Sequence, residues 1–480
     1  MRAIRRTQPG PSIEVAQKFH RRRALAGALL TALCGGAAAG QDPFGANNTL
    51  YPAEGDWSGQ FRTSNYDYPS APQKAVWQSG GPCDDGDAGP LSTASAPAYV
   101  DAVKQFIASD IRGAIDTPLT WNPDQVGWYN MPWGATGTTR SDGSIDPESG
   151  RESLLGSYTG QILPADTFAT PRPARAFQNH AVIYYNDVAA TMLARVFEDP
   201  FLPNTSAVDF PEGSIVVKVE AAALTQQEWP VLENSSISYV FRPLTSDLLK
   251  PHAKDGAPAV VTQMYFTQIV VKVKDTVAAP ETGWVFMVFA YDKDAQADTV
   301  WDRAVPVGAM WGNDPEYANT FSGAAPEGQK LEQTWISPGA PAYTLEALGW
   351  GDRLSGPMDV GRRHNVVTVS GKRYGTQASP FAASSCMSCH GSAQVPFIAN
   401  LYPSPNLPFP LEGQEFLFFD PGSPQWAKWF QNRAGDVPMS GANRTGITAM
   451  DYDMLLTFTI QSVASTAGTE GLILEKLMGH

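Results

Sequence analysis

The 480-residue sequence contains only four cysteines, at positions 34, 83, 386 and 389. So few cysteines exclude a disulfide-rich scaffold, and a structural zinc site would need four ligands where a single close Cys pair is present. The sequence also has no Gly-rich phosphate loop, no nucleophile elbow and no His-Glu-x-x-His helix. After residue 33, no stretch approaches the roughly 20 apolar residues of a membrane helix, so we expect no membrane span.

Positive charge is scarce as well. The chain has 34 Lys and Arg against 48 Asp and Glu, a formal net charge of −14. Removal of residues 1–40, which hold seven basic residues and one acidic residue, lowers the net charge to −20. This balance excludes nucleic acid and anionic lipid as partners, because both require a basic surface. It favours a redox partner with a basic surface, or a cationic substrate.

The most informative stretch is Cys386-Met387-Ser388-Cys389-His390. A Cys-x-x-Cys-His run in an exported chain is typical of a c-type haem attachment site. Two thiols at this spacing can each bond a vinyl group of one porphyrin, and the adjacent imidazole can then reach the iron. We therefore predict one covalent haem c on Cys386 and Cys389, with His390 as the proximal iron ligand. The alternative is a redox dithiol, which is expected near a βαβ pattern in a cytosolic protein, and this sequence has neither feature.

Residues 1–40 have the order of a signal peptide. Three arginines at 21–23 precede an apolar run over 24–33, and small residues follow at 35–40. Since haem attachment of this kind takes place outside the cytoplasm, we expect a periplasmic protein; general and twin-arginine export both remain open. Cys34 leaves with such a signal, so Cys83 is an odd cysteine.

The remaining sequence predicts an α+β fold with an antiparallel β core, an irregular N-terminal region and a haem c-bearing C-terminal part. Residues 41–175 are rich in Gly, Pro and aromatic residues, with one helix predicted over 99–111. Residues 176–320 form the predicted core, and residues 321–480 the haem-binding region. Within the core we predict a helix over 180–198 and strands over 214–220, 236–242, 264–275 and 284–292. No helical pattern separates these strands, so the sheet should be mostly antiparallel.

Several short phrases, in order, resemble the cytochrome P-four-sixty family: Tyr185-Asn186-Asp187, residues 210–218, 271–275 and 282–286, and then the haem motif. The resemblance covers about a quarter of the chain. It implies a periplasmic monohaem protein, often a homodimer, that oxidises hydroxylamine or binds nitric oxide at an open iron position. Some members join a lysine to the porphyrin edge, and the resemblance assigns that role to Lys218. From the residues alone, Lys218 can equally face solvent, as we expect for Lys272 and Lys274, which alternate along their strand.

The sixth iron ligand decides the function, because it determines whether a haem carries electrons or activates a small molecule. Met439 lies in a loop ahead of a helix predicted over 451–463, as in small electron-transfer cytochromes c, and it is the predicted ligand. His180, His252, His364 and Met131 are the alternatives. If none of them binds iron, Tyr265, Gln268 and Phe286 are candidates for the wall of an open site. Candidates to neutralise a haem propionate are Arg362, Arg363, Lys372 and Arg373.

Electron transfer is therefore the leading functional prediction. A haem enzyme or nitrogen-oxide-binding protein with an open distal site is the alternative.

Overall fold

Antiparallel strands form the centre of the molecule. The computed structural model describes residues 50–80, 88–132, 144–200, 202–250, 257–318, 330–359, 366–369, 372–375, 384–396, 427–439 and 446–467, with the backbone alone for 318, 366–369, 372–375 and 464–467. The strands are β1 (Tyr158–Leu163), β2 (Phe177–Tyr185), β3 (Ile215–Ala222), β4 (Ile237–Arg242), β5 (Val260–Lys274), β6 (Trp284–Tyr291), β7 (Ala304–Met310), β8 (Thr334–Ile336), β9 (Val366–Val369), β10 (Lys372–Gly375), β11 (Gln394–Val395) and β12 (Thr448–Ala449). Eight of them form one sheet in the order β1-β2-β3-β5-β6-β7-β8, with β4 paired to β5.

Every pairing in the large sheet is antiparallel. Two small two-stranded antiparallel sheets pair β9 with β10 and β11 with β12. The helices are α1 (Ala96–Asp116), α2 (Asp187–Val196), α3 (Thr245–Leu248), α4 (Pro315–Ala318), α5 (Ala342–Leu345), α6 (Cys386–His390) and α7 (Met454–Ala467). The predicted antiparallel core with additional helices is confirmed, and the four predicted strands correspond to β3, β4, β5 and β6.

The helix predicted over 180–198 is wrong in its first half, which is strand β2. Asn186 marks the break between the strand and helix α2. Its Oδ1 accepts hydrogen bonds from the backbone N–H groups of Ala189 (2.9 Å) and Ile215 (3.0 Å), and its Nδ2 donates to the carbonyl of Gly213 at 3.0 Å. The prediction failed because β2 is covered on both faces, and its continuous apolar run lacks the alternation that distinguishes a strand from a helix.

The two faces of the sheet are buried in different ways. Val217, Ile269 and Met287 point to the face that packs against α1, in one apolar cluster. The opposite face contributes Phe286 and Val288 to a second apolar cluster, which also includes Met387 of α6 and Leu456 of α7. The C-terminal part of the chain therefore covers one face of the sheet, and α1 covers the other.

The face under the C-terminal segments also carries polar residues. Lys272 is 5% exposed and pairs with Asp453 at 2.8 Å; Lys274 is 9% exposed and pairs with Asp451 at 2.8 Å. The expectation that these two lysines face solvent is wrong, because the segment around residues 451–453 lies over them. Each buried cation has a carboxylate partner, as its burial requires.

None of the helices in the described ranges has both the length and the apolar character that crossing a bilayer requires. The predicted signal segment at 1–40 and the odd Cys83 lie outside the described residues.

The junction between β2 and α2 generates a stability prediction. Asn186→Ala removes a helix cap and leaves buried N–H groups without an acceptor, so we expect the free energy of unfolding to fall by about 2 kcal/mol. Urea unfolding followed by circular dichroism measures it. The control is Asn204→Ala, because exposed Asn204 precedes a short helical turn without capping it, and this change should stay within about 0.5 kcal/mol. Equal effects of the two substitutions would contradict the assigned role of Asn186.

Candidate functional site

Helix α6 contains the Cys-x-x-Cys-His run for which the sequence predicts haem attachment, and contacts at its start hold its five residues in place. Ser385 precedes it and forms a reciprocal capping box with Ser388: Ser385 Oγ accepts from the Ser388 N–H at 3.1 Å, and Ser388 Oγ accepts from the Ser385 N–H at 2.7 Å. The Cys386 N–H donates to the carbonyl of Leu354 at 3.0 Å. Fully buried Met387 packs into the core. These contacts stabilise a turn of helix that would be marginal by itself.

The chemically active residues of α6 share one side of the helix. Cys386, Cys389 and His390 stand at positions i, i+3 and i+4, which places them on one face. All three are half-buried, whereas Met387 and Ser388 between them are fully buried. The two thiols and the imidazole therefore lie together on one side of the helix, with Cys386 and His390 packed against the edge of the apolar cluster.

The orientation of His390 is set by its hydrogen bond. His390 Nδ1 lies 2.8 Å from the carbonyl oxygen of Tyr452. A carbonyl only accepts, so this bond assigns the proton to Nδ1 and leaves the lone pair on Nε2. The ring packs against Phe286, with centroids 5.0 Å apart. Burial, together with the charge of Lys272, lowers the pKa of His390 to about 4, so the imidazole is neutral at pH 7, the form that binds metals.

Lys218 on β3 lies on the same face of the sheet as α6. Its Nζ is 2.5 Å from Asp359 Oδ1 and 2.9 Å from Glu220 Oε1, and its side chain is 26% exposed. Burial and then the Asp359 carboxylate raise the pKa of the Cys386 thiol, and the Lys218 cation partly offsets this rise. The fold thus brings Lys218 and Cys386 together, although 168 residues separate them in the chain.

The charge state of Lys218 follows from its two partners. Burial opposes a charge on its amine, but the Asp359 and Glu220 carboxyl groups outweigh burial and raise the pKa of Lys218. The amine is therefore a cation held between two carboxyl groups. Sequence reasoning left solvent exposure open for Lys218; the structure places it in a polar cluster.

Glu220 is the most buried member of that cluster, with no exposed area. Its carboxyl group accepts from Asn179 Nδ2 at 2.7 Å and from Gln268 Nε2, and Gln268 Nε2 also lies 3.0 Å from Asp359 Oδ2. Burial, reinforced by the Asp359 charge, raises the pKa of Glu220 to about 8. Sequence reasoning missed Glu220 and Asp359. The first has a local signal, since it stands two residues after Lys218 and shares its face.

The candidates for the sixth ligand lie in different places. Met439 is 4% exposed, and its N–H donates to Gln394 Oε1 at 3.0 Å, beside the strand that follows α6. His180 belongs to β2 and shares its face with Val182 and Tyr184, which pack on the α1 side. His180 is therefore on the wrong face of the sheet for the haem motif. Met131 is 1% exposed and belongs to the same apolar cluster as Met387.

The remaining predicted residues are distributed as follows. Phe286 packs on the His390 ring, so it lies on the imidazole side and not on an opposite wall. The Tyr265 hydroxyl accepts from Gln263 Nε2 at 3.1 Å. Among the described side chains, no group of three or more His, Cys, Asp or Glu is arranged to hold a metal ion by itself. The structure describes only the backbone of Lys372 and Arg373, and His252, Arg362, His364 and Arg363 lie outside the described residues.

Comparison with known proteins gives no relative: no protein-family model matches the chain, and neither the curated proteins nor the solved structures contain a significant match.

The raised pKa of Glu220 predicts a pH dependence of stability. Between the ordinary value of 4.5 and about 8, native Glu220 keeps a proton that the unfolded chain has lost. The native state then binds more protons, so the free energy of unfolding falls as pH rises through this window. Glu220→Gln carries no charge at any pH and should flatten that part of the curve.

Urea unfolding at a series of pH values measures the effect. Glu54→Gln, at an exposed position, is the control and should keep the wild-type slope. Parallel curves for wild type and Glu220→Gln would show that Glu220 titrates normally.

Proposed function

We propose that the protein is a monohaem c-type cytochrome in which Cys386 and Cys389 carry the haem and His390 binds its iron. The arrangement of α6 is the observation that carries the proposal: the three side chains share one half-buried face, and the Tyr452 carbonyl holds Nδ1 so that Nε2 is available as a ligand. The signal-like residues 1–40 support a periplasmic location, where such attachment takes place.

A haem bound here would supply one-electron redox chemistry. The chain's own residues would tether and orient it. The thiols of Cys386 and Cys389 fix its edge, His390 supplies the axial nitrogen, and Tyr452 keeps the imidazole in one tautomer and one orientation. Phe286, packed on the imidazole ring, limits the access of water from that side.

Electron transfer is the first function that such a haem supports. It requires a sixth ligand, and Met439 is the proposed one, because it is buried in a loop ahead of the last described helix. Histidine with methionine gives a six-coordinate haem of raised potential, typical of electron carriers. The net charge of −14 favours a partner with a basic surface.

The second function is the oxidation or binding of a small nitrogen oxide, in line with the resemblance to the cytochrome P-four-sixty family. The polar cluster of Lys218, Glu220 and Asp359 beside Cys386 favours it. An electron carrier needs no acid–base group, whereas hydroxylamine oxidation releases protons, and the ionised fraction of a carboxyl group with a pKa of about 8 can accept one and pass it on near neutral pH. In this function Lys218 contacts the porphyrin edge, and the homodimer that the resemblance implies remains part of the proposal.

The first prediction concerns attachment. Purified, denatured wild type should retain haem absorbance through its thioether bonds, and the double variant Cys386→Ser/Cys389→Ser should lose it completely. Visible spectroscopy and mass spectrometry of the denatured protein measure the result, and Cys83→Ser, as the control, should retain haem. A wild type that loses its haem on denaturation would overturn the proposal.

A further red-shifted absorption band, abolished in Lys218→Met, is expected if Lys218 is joined to the porphyrin.

A second prediction separates the two functions. If Met439 is the sixth ligand, the reduced wild type should ignore carbon monoxide, while Met439→Ala should bind it and show a clear spectral shift. Met131→Ala, a change at another buried methionine, is the matched control and should behave like wild type. Immediate gas binding by the wild type, unchanged in Met439→Ala, would reject electron transfer through Met439 and favour the open site.

A further inference from the structure

Two hydrogen-bond donors meet at one carbonyl beside Cys386–His390. The carbonyl oxygen of Tyr452 accepts from His390 Nδ1 at 2.8 Å and also from Lys272 Nζ at 3.1 Å. A carbonyl has two lone pairs, so it can hold both donors at once. A lysine on strand β5 therefore touches the same atom that orients the proposed axial ligand.

Lys272 is held firmly in this place. Its Nζ is 2.8 Å from Asp453 Oδ2 and 4.6 Å from the centroid of the Trp284 ring, and the residue is 5% exposed. An ammonium group this buried keeps its hydrogen-bond partners, because water cannot replace them. The cation is consequently a fixed part of the surroundings of His390.

The carbonyl itself is positioned by an unusual turn. Asp451 and Tyr452 both have left-handed backbone conformations, with φ of 44° and 58°. Such conformations in non-glycine residues cost of order 1–3 kcal/mol each and persist only where surrounding contacts impose them. Here the Asp451 carboxylate accepts from Lys274 Nζ at 2.8 Å and from Trp284 Nε1 at 2.7 Å.

Asp453 completes the attachment of the turn. Its carboxylate accepts from the Tyr185 hydroxyl at 3.1 Å and from the Leu456 N–H at 2.7 Å, at the start of helix α7. The Tyr452 hydroxyl donates to the carbonyl of Arg433 at 2.9 Å, and Arg433 in turn donates to the carbonyl of Gly391, next to His390. These contacts hold the strained turn and thereby fix the position of the Tyr452 carbonyl.

We propose that Lys272 is a positioning residue that raises the reduction potential of the haem by sharing the Tyr452 carbonyl with His390. The inference rests on the proposed haem attachment. An axial histidine that donates strongly through its second nitrogen becomes a better electron donor to the metal and stabilises the oxidised state. A cation on the same carbonyl withdraws electron density from that oxygen and weakens the His390 hydrogen bond, which favours the reduced state.

The charge of Lys272 and its hydrogen bond to the Tyr452 carbonyl would both raise the reduction potential, so the experiment must separate the two effects. Asp453 neutralises Lys272 in the wild type. Lys272→Met removes the cation and leaves Asp453 negative. Lys272→Met/Asp453→Asn keeps the local net charge unchanged and loses the contact of Lys272 with the carbonyl, while the substituted amide oxygen can still accept from the Tyr185 hydroxyl and the Leu456 N–H. Asp453→Asn alone keeps Lys272 and removes its competing partner.

The experiment is a spectroelectrochemical titration of the purified holoproteins. We expect Lys272→Met to shift the one-electron equilibrium about tenfold toward the oxidised state, which is about 59 mV. The charge-neutral double variant should retain a smaller shift of the same sign, and Asp453→Asn should shift the equilibrium the other way. Lys74→Met/Asp110→Asn is the matched control, because this lysine–aspartate pair at 2.6 Å involves helix α1, which packs on the other face of the sheet.

Resonance Raman spectra of the reduced proteins, recorded in the Met439→Ala background where the iron keeps a free coordination position, provide a readout that a merely structural role would not move. The iron–histidine stretching frequency should rise when the double substitution is added, because the His390 hydrogen bond strengthens. If Lys272→Met fails to fold, the double variant, whose local net charge is unchanged, still decides the question. Covalent haem with an unchanged potential in the double variant and in Asp453→Asn would overturn this inference alone. A wild type without covalent haem would overturn the proposed function and this inference with it.

Discussion

Two buried lysine–aspartate pairs attach the C-terminal segment to the sheet. Lys272 and Lys274 project from strand β5, and Asp453 and Asp451 reach them from a turn about 180 residues later in the chain. Removal of one partner from a buried pair leaves an uncompensated charge, which costs several kcal/mol. The pairs therefore fix where the turn lies. That turn starts helix α7 and supplies the carbonyl that orients His390, so the geometry of the haem motif depends on charges held on the sheet.

The sheet separates structural and chemical roles between its faces. The face toward α1 is apolar, with Val217, Ile269 and Met287 in one cluster, and it stabilises the fold by excluding water. The opposite face alternates apolar residues with Lys218, Glu220 and Lys272, and the C-terminal segments cover it. Polar groups can be buried there because each one meets a partner of opposite charge or a hydrogen-bonding group. A site built on a strand is held more rigidly than one built on a loop.

The sequence predicts those parts of the molecule that depend on the pattern of neighbouring residues in the chain. The haem motif, the antiparallel core and four of its strands follow from spacing and alternation. The alternation of apolar and polar residues along a strand does not show which face another segment will cover. For this reason we expected Lys272 and Lys274 to face solvent. Strand β2 was taken for a helix because both of its faces are buried. Asp359 could not be found, since only folding brings it to Lys218, 141 residues away in sequence.

The surroundings of Cys386 and those of His390 differ in how positive and negative groups are balanced. Beside Cys386, two carboxyl groups share one lysine, so one carboxyl is left without a full counter-charge, and burial makes Glu220 the one that keeps a proton. Beside His390, one lysine meets one carboxylate at 2.8 Å in a one-to-one ion pair. The surroundings of Cys386 therefore include a carboxyl group that can exchange a proton near neutral pH. In the proposed cytochrome, reduction of the haem would favour protonation of the carboxyl groups beside Cys386, because added negative charge raises the pKa of a nearby carboxyl group, and such electrostatic coupling is what coupled electron and proton transfer requires.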